Sequence, residues 1–276
     1  MAAAGQDSQH YTPEGLVQRL EGALSSLGRE GHALRAEDLA PLDQFHSRGL
    51  EATVELADVL QVNASSRVLD IGSGLGGPSR YLAAKYGCAV TGIDFSLPFV
   101  EAAALLAEKT GLAGRVSYRQ ANALSLPFDA EAFDAAWTQH VAMNIADRAG
   151  LYREAFRVLR SGGRFAIYDV VALNDALPYF PVPWATDSST SFLVTADETM
   201  RLVEAQGFRR VWSADSTQAG AEWFAQREKE RAQRTSPPAL GLHLAMGPGF
   251  AQMGANLSRS LQEGRVGLLQ AMFEKP

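Results

Sequence analysis

Cysteine is nearly absent: Cys88 alone in 276 residues leaves no internal disulfide, and a lone thiol opening an apolar strand pattern reads as buried and inert. The five histidines, His10, His32, His46, His140 and His243, lack the close spacing of zinc ligands, which argues against a metal site. No apolar run approaches the roughly 18 residues of a membrane span. The opening MAAAGQDSQHYTPEG has no basic segment followed by an apolar core. These absences predict a cytoplasmic protein with no membrane association. Positive charge is not in excess either. A net charge of −6 offers no footprint for a polyanion, so nucleic acid is disfavoured and a small molecule is the expected partner.

What is present is ordinary in amount and specific in order. An apolar fraction of 46% is enough for one large domain with embellishments. Residues 12–60 read as helices, opening at TPEGLVQRLEGALSSLG with a Thr cap and a Pro in the first turn. From residue 66 short apolar runs alternate with helical segments. The spacing predicts strands at 67–71, 89–93, 115–119, 133–138, 163–171 and 208–214, and helices at 77–86, 97–110, 148–160 and 196–206. Such alternation predicts a parallel sheet with helices on both faces. Two segments interrupt it. ALNDALPYFPVPWATDSSTSFL is rich in Pro, Ser and aromatics, as binding loops are. AEWFAQREKERAQR is a helix whose charged far half reads as a solvated face; it is followed by a helix at 249–263 and a closing strand, VGLLQAMFEK.

The densest signal is VLDIGSGLGGPSRYLAAKYGCAVTGIDFS, residues 68–96. Gly72, Gly74 and Gly77 satisfy G-x-G-x-x-G after a strand and before a helix, where backbone amides approach a ligand closely. Asp94 ends the next strand, roughly 20 residues past Gly72, where a carboxylate accepts from two ribose hydroxyls. A dinucleotide shares both features. Asp70 separates the two readings: two residues before the first glycine, a carboxylate repels phosphate and suits an ammonium group. Adenosine joined to a cationic amino acid describes S-adenosylmethionine.

At this point the chain resembles the class I S-adenosylmethionine-dependent methyltransferases over about residues 60–215. VLDIGSGLGG, VTGIDFS, ANALSLPF, FDAAWTQHV and LYREAFRVLRSGGRFAIYDVV carry the resemblance in order. LDQFHSRG, WTQHVAMNI and PVPWATDSSTSFL resemble more narrowly the sarcosine/dimethylglycine N-methyltransferase branch. The resemblance implies a Rossmann-like α/β fold with a seven-stranded, mostly parallel sheet and one antiparallel strand. It divides the chain into a helical lid at 1–60 and a core at 61–276, with insertions at about 172–195 and 217–263.

The resemblance also implies site residues. Asp70, Gly72 and Gly74 would hold the methionine end and Asp94 the ribose. Phe95 and Ser96 would flank adenine and ribose. Asn122 and Ala123 stand where the family has Asp-Ala, the Asn departing from that pattern, and Thr138 would offer its carbonyl near the sulfonium. Methyl transfer is an in-line displacement, so the protein chiefly aligns the reactants and excludes water. Gln139 and His140 follow the fourth strand, where open α/β folds bind ligands; His140 would be a proton acceptor or a positioning group. Met143 and Asn144 continue that loop, Met143 as pocket wall or core. Gln44, Phe45 and His46 would reach the substrate from the lid, with Tyr11 beside them. Trp184 would pack on an alkylated ammonium or inside the lid. Asp169 would favour a cationic amine or simply bond a backbone amide. No metal is expected. The expected reaction is N-methylation of a glycine-derived amine by a monomer or homodimer, with O- or C-methylation of a secondary metabolite as the alternative. A nicotinamide-dependent dehydrogenase and a non-catalytic cofactor-binding protein are the rivals from other classes.

Overall fold

The computed structural model describes residues 15–26, 34–236, 238–247 and 249–276; His10, Tyr11, His32 and the Thr12–Pro13 cap lie outside them. Its elements, in chain order, are α1 (Leu16–Ser26), α2 (Ala40–Asp43), α3 (Gly49–Leu60), β1 (Arg67–Ile71), α4 (Gly77–Tyr86), β2 (Ala89–Asp94), α5 (Leu97–Lys109), β3 (Val116–Gln120), β4 (Phe133–Gln139), α6 (Arg148–Val158), β5 (Leu159–Ala172), α7 (Ala196–Glu204), β6 (Arg209–Asp215), α8 (Thr217–Gln233), α9 (His243–Met246), α10 (Phe250–Gln262) and β7 (Val266–Glu274). The strands form one sheet in the order β3-β2-β1-β4-β5-β7-β6. All neighbours are parallel except those of β7, which runs antiparallel to β5 and β6. The expected architecture is therefore present. None of the described helices is long and apolar enough to cross a membrane.

Successive side chains of a strand point to opposite faces, and both faces of this sheet are covered, so the strands read as nearly continuous apolar runs. On one face Val68, Val90, Trp137 and Tyr168 pack under α3 and α4. On the other, Leu69, Ile71, Ile93 and Phe165 pack under α6 and α7. A third cluster joins Leu16 and Leu20 of α1 and Leu39 and Leu42 beside them to Phe99 and Leu106 of α5, which seats the amino-terminal helices on the core. Cys88 is fully buried, and burial pushes its thiol up to about 11, as expected of an inert side chain.

β1 pairs with β2 on one side and with β4 on the other, so the chain reverses its direction of travel across the sheet there. The crevice at the carboxyl ends of such strands is where open α/β sheets bind ligands. Phe45, His46 and Ser47, the loop after β5 and helices α8 to α10 close over that crevice.

Candidate active site

The loop after β1 shapes the first wall. The amides of Gly72 and Ser73 donate to the Ile93 carbonyl at 2.8 and 2.9 Å, tying the turn to β2. Gly72 and Gly74 have φ of +77° and +52°, a region that side chains rarely adopt. A Cβ on Gly72 would overlap Val141, and one on Gly74 would stand 2.8 Å from the Phe45 ring, so the backbone passes bare between lid and β4 loop. Asp94 Oδ2 accepts from the Gly74 amide and Oδ1 from the Ser96 amide, each at 2.9 Å. Burial raises this carboxyl above its ordinary value, against those amide bonds.

These residues line a cavity of about 510 Å³. Its donor end carries Gly72, Gly74, Asp94, Phe95, Ser96, Asn122 and Ala123. Phe95 is 46% exposed, an unusual state for a phenyl ring until a flat heterocycle is laid against it. The Asn122 Oδ1 accepts from the Leu124 amide at 2.9 Å, which fixes the turn and keeps a second lone pair on that oxygen. No lysine or arginine is among the described residues of the wall. A diphosphate would meet the Asp94 carboxylate without a counter-charge, whereas adenosine carrying a cationic tail fits.

Several expected contacts are corrected. Asp70 lies off the wall, 2% exposed, its Oδ2 accepting from the Ser79 hydroxyl at 2.6 Å. Strand alternation is the reason: Asp70 shares the face of Val68, toward α4, and burial pushes it up to about 7. Thr138 is buried mid-sheet opposite Ile71 and Ile167, also off the wall. Asp169 is fully buried; of its two expected roles it takes the backbone one, its Oδ1 accepting from the amides of Val141 and Ala142 at 2.9 and 3.2 Å, so it pins the loop after β4 from off the cavity wall. Gln44 is likewise one layer back, accepting from the Thr53 hydroxyl at 2.7 Å.

The loop pinned by Asp169 presents Gln139, His140, Met143 and Asn144 to the cavity. His140 has φ of +55°, a strained conformation for a residue with a side chain, and its amide donates to the Tyr168 carbonyl at 2.6 Å. Its ring lies 4.8 Å from Tyr168 and 6.0 Å from His46, centroid to centroid. Burial, then the neighbouring His46, holds His140 well below the ordinary imidazole value, and its buried Nε2 has no partner. His46 is pushed down to about 4 by burial, with its bond to the Ser47 carbonyl opposing. Both imidazoles are neutral at pH 7. His46 Nε2 lies 3.1 Å from Gln44 Oε1 and 3.0 Å from Thr53 Oγ1, and Thr53 reaches Gln139 Oε1 at 3.5 Å. This chain of groups joins the lid to β4. Thr53 was not legible as part of it: a threonine in a helical pattern gives no sign of facing inward.

The other end of the cavity is mostly apolar, with Thr186, Asp187, Ser189 and Thr190 of the loop after β5 as its polar residues. Trp184, held by a 2.9 Å bond from its Nε1 to Ser191 Oγ, faces Trp223 and Phe224 of α8, Met246, and Phe250 and Leu257 of α10. The charged far half of α8 is exposed as expected, but its Trp-Phe pair is cavity wall. Phe250 and Leu257, seven residues apart and on one helix face, were the available signal for α10. No group of three or more His, Cys, Asp or Glu among the described residues is placed to hold a metal.

A family model described as a methyltransferase domain matches residues 69–167, spanning the glycine loop, Asp94 and the His140 loop. Over these residues the chain is similar to S-adenosylmethionine-dependent methyltransferases. Similar curated proteins include a sarcosine/dimethylglycine N-methyltransferase of Halorhodospira halochloris, 34% identical over 139 residues, 50% of this chain and 49% of that one. A 27-O-demethylrifamycin SV methyltransferase of Amycolatopsis mediterranei is 36% identical over 138 residues, half of each chain. The chain thus spans about half the length of these relatives. The geranyl diphosphate C-methyltransferase of Streptomyces coelicolor A3(2), solved with S-adenosyl-L-homocysteine, superposes with a TM-score of 0.71 over 100% of this chain and 99% of that one, at 16% identity, and shares the fold.

Proposed function

We propose that the protein transfers the methyl group of S-adenosylmethionine to a hydroxyl oxygen of a bulky, largely apolar small molecule. The observation that carries this reading is the acceptor end of the cavity: mostly aromatic and aliphatic walls with Thr186, Asp187, Ser189 and Thr190 as polar residues, no described cation to meet a carboxylate, and one imidazole with an unpartnered Nε2. A glycine-derived amine, the reaction expected from the narrow motifs, brings a carboxylate that would be desolvated there without a counter-charge. A hydroxyl brings none. The relative named for a demethylrifamycin supports the first acceptor, the one named for sarcosine and dimethylglycine the second.

The bound cofactor supplies a methyl carbon made electrophilic by the attached sulfonium. Asp94, Phe95, Asn122 and Ala123 would hold its nucleoside, and the bare Gly72–Gly74 backbone would let its tail approach. With the acceptor hydroxyl beside that methyl group, His140 Nε2 would take the hydroxyl proton as the oxygen is methylated. Gln139, whose Nε2 has no protein partner, orients the hydroxyl. Residues 34–60 and the described parts of the insertions at about 172–195 and 217–263 act as lid and cap that exclude water. The test is incubation with labelled S-adenosylmethionine and a panel of sarcosine, dimethylglycine, polycyclic alcohols and macrolactones. Label is expected in an alcohol; label in the methylated glycines alone overturns the proposal.

A further inference from the structure

Gly254 sits in the middle of α10 (Phe250–Gln262), where glycine costs stability relative to alanine. Such a glycine normally makes room for a close approach. Gly220 of α8 does so: a Cβ there would overlap Leu268. Gly254 has no such neighbour, and a Cβ on it would meet no atom within 4 Å. Gly22 of α1 also meets nothing, but it is exposed and lines no cavity. Gly254 is cavity wall, with Phe250 four residues before it and Leu257 three after, both wall residues too. Positions i, i+4 and i+7 share one helix face. The apolar stripe that α10 turns to the cavity therefore has a gap at its centre.

We infer that Gly254 sets the size limit of the acceptor: the bare backbone between Phe250 and Leu257 forms a recess in which an apolar ring of the acceptor seats. This rests on the apolar-acceptor reading above and adds to it the substrate class, one with a fused or extended ring body. α10 packs on α8, α9 and β7, in the half of the sheet away from β1, β2 and β3, which carry the donor end. A side chain at 254 fills the recess and leaves the cofactor's residues alone.

The experiment compares wild type, Gly254→Ala and Gly254→Leu, all loaded with S-adenosylhomocysteine, by quenching of tryptophan fluorescence with phenol, 2-naphthol and estradiol. Trp184 and Trp223 on the wall supply the signal. Wild type binds all three. Gly254→Leu weakens estradiol by roughly 10-fold or more, as overfilling a packed recess does, with phenol and S-adenosylhomocysteine unchanged. Gly254→Ala falls between. Both variants unfold about 2 °C or more above wild type, because each restores helix propensity. Estradiol binding by Gly254→Leu equal to wild type overturns the inference and leaves the acceptor reading standing. Equal losses of estradiol and S-adenosylhomocysteine also overturn it, assigning Gly254 to the fold. Failure of wild type to bind either naphthol or estradiol overturns both.

Discussion

Replacing His46 by glutamine removes an imidazole that is 4% exposed and keeps a side chain able to bond Gln44 and Thr53. Burial lowers His46 from 6.5 to about 4. The folded state thus binds fewer protons than the unfolded state across that interval, so His46 adds stability as pH rises and withdraws it as pH falls below 6.5. Between pH 7.5 and pH 5.5 the withdrawal amounts to about 1.4 kcal/mol, one pH unit below the unfolded value at 1.36 kcal/mol per unit. Asp70 and Asp169, raised to about 7 and about 6, act in the opposite direction over the same window, so the raw slope of wild type mixes the contributions. The difference between wild type and His46→Gln isolates the histidine. Urea unfolding of both proteins at pH 7.5, 6.5 and 5.5, followed by far-UV circular dichroism, gives that difference directly. The wild type is expected to lose about 1.4 kcal/mol more than the variant between the extremes. Parallel pH profiles would show that the imidazole is hydrated and charged in the folded protein, and would refute the account of a dry, neutral His46–His140 pair.

Further outcomes follow from other contacts. His140→Ala is expected to lower kcat by about 10²-fold or more while S-adenosylhomocysteine affinity stays within a factor of two or so; loss of affinity in calorimetry would contradict the proton-acceptor role. Asp94→Ala is expected to weaken the cofactor by about 10²-fold, since two ribose bonds to a charged acceptor disappear along with those that fix Gly74 and Ser96. Asp43→Asn strands the fully buried Arg80 guanidinium, now 2.6 Å from its carboxylate, and should cost about 3 kcal/mol in denaturant unfolding. Gly72→Ala places a methyl group against Val141 at a left-handed φ and is expected to destabilise by about 1–3 kcal/mol.

The parallel half of the fold was legible because short apolar runs alternate there with helical segments, the first run ending at Gly72. β1 and α4 begin and end where the sequence pattern places them, at Arg67–Ile71 and Gly77–Tyr86. β5 was not: it runs from Leu159 to Ala172, beyond the expected 163–171, because Leu159 pairs with Phe133 and the Gly162 amide reaches the Lys275 carbonyl, partners that lie far off in sequence. The same distinction governs the site. Gly72, Gly74, Asp94 and His140 carry local signatures of backbone and chemistry. Asp70 and Asp169 carry the right chemistry, but which face of a strand they occupy decides whether they reach a ligand. Gly254 carries no local signature, since its meaning depends on what stands opposite.

Floor and roof of the chamber come from separate stretches of the chain. The strand ends and loops proposed to hold the methyl donor are complete by residue 144, apart from support beneath them, whereas much of the apolar ceiling comes from residues 184–257. Exchange of α8 to α10 for another helical cap would thus retune which molecules are admitted without rebuilding the machinery that activates the methyl group, and a lineage of such proteins can change clientele by trading roofs.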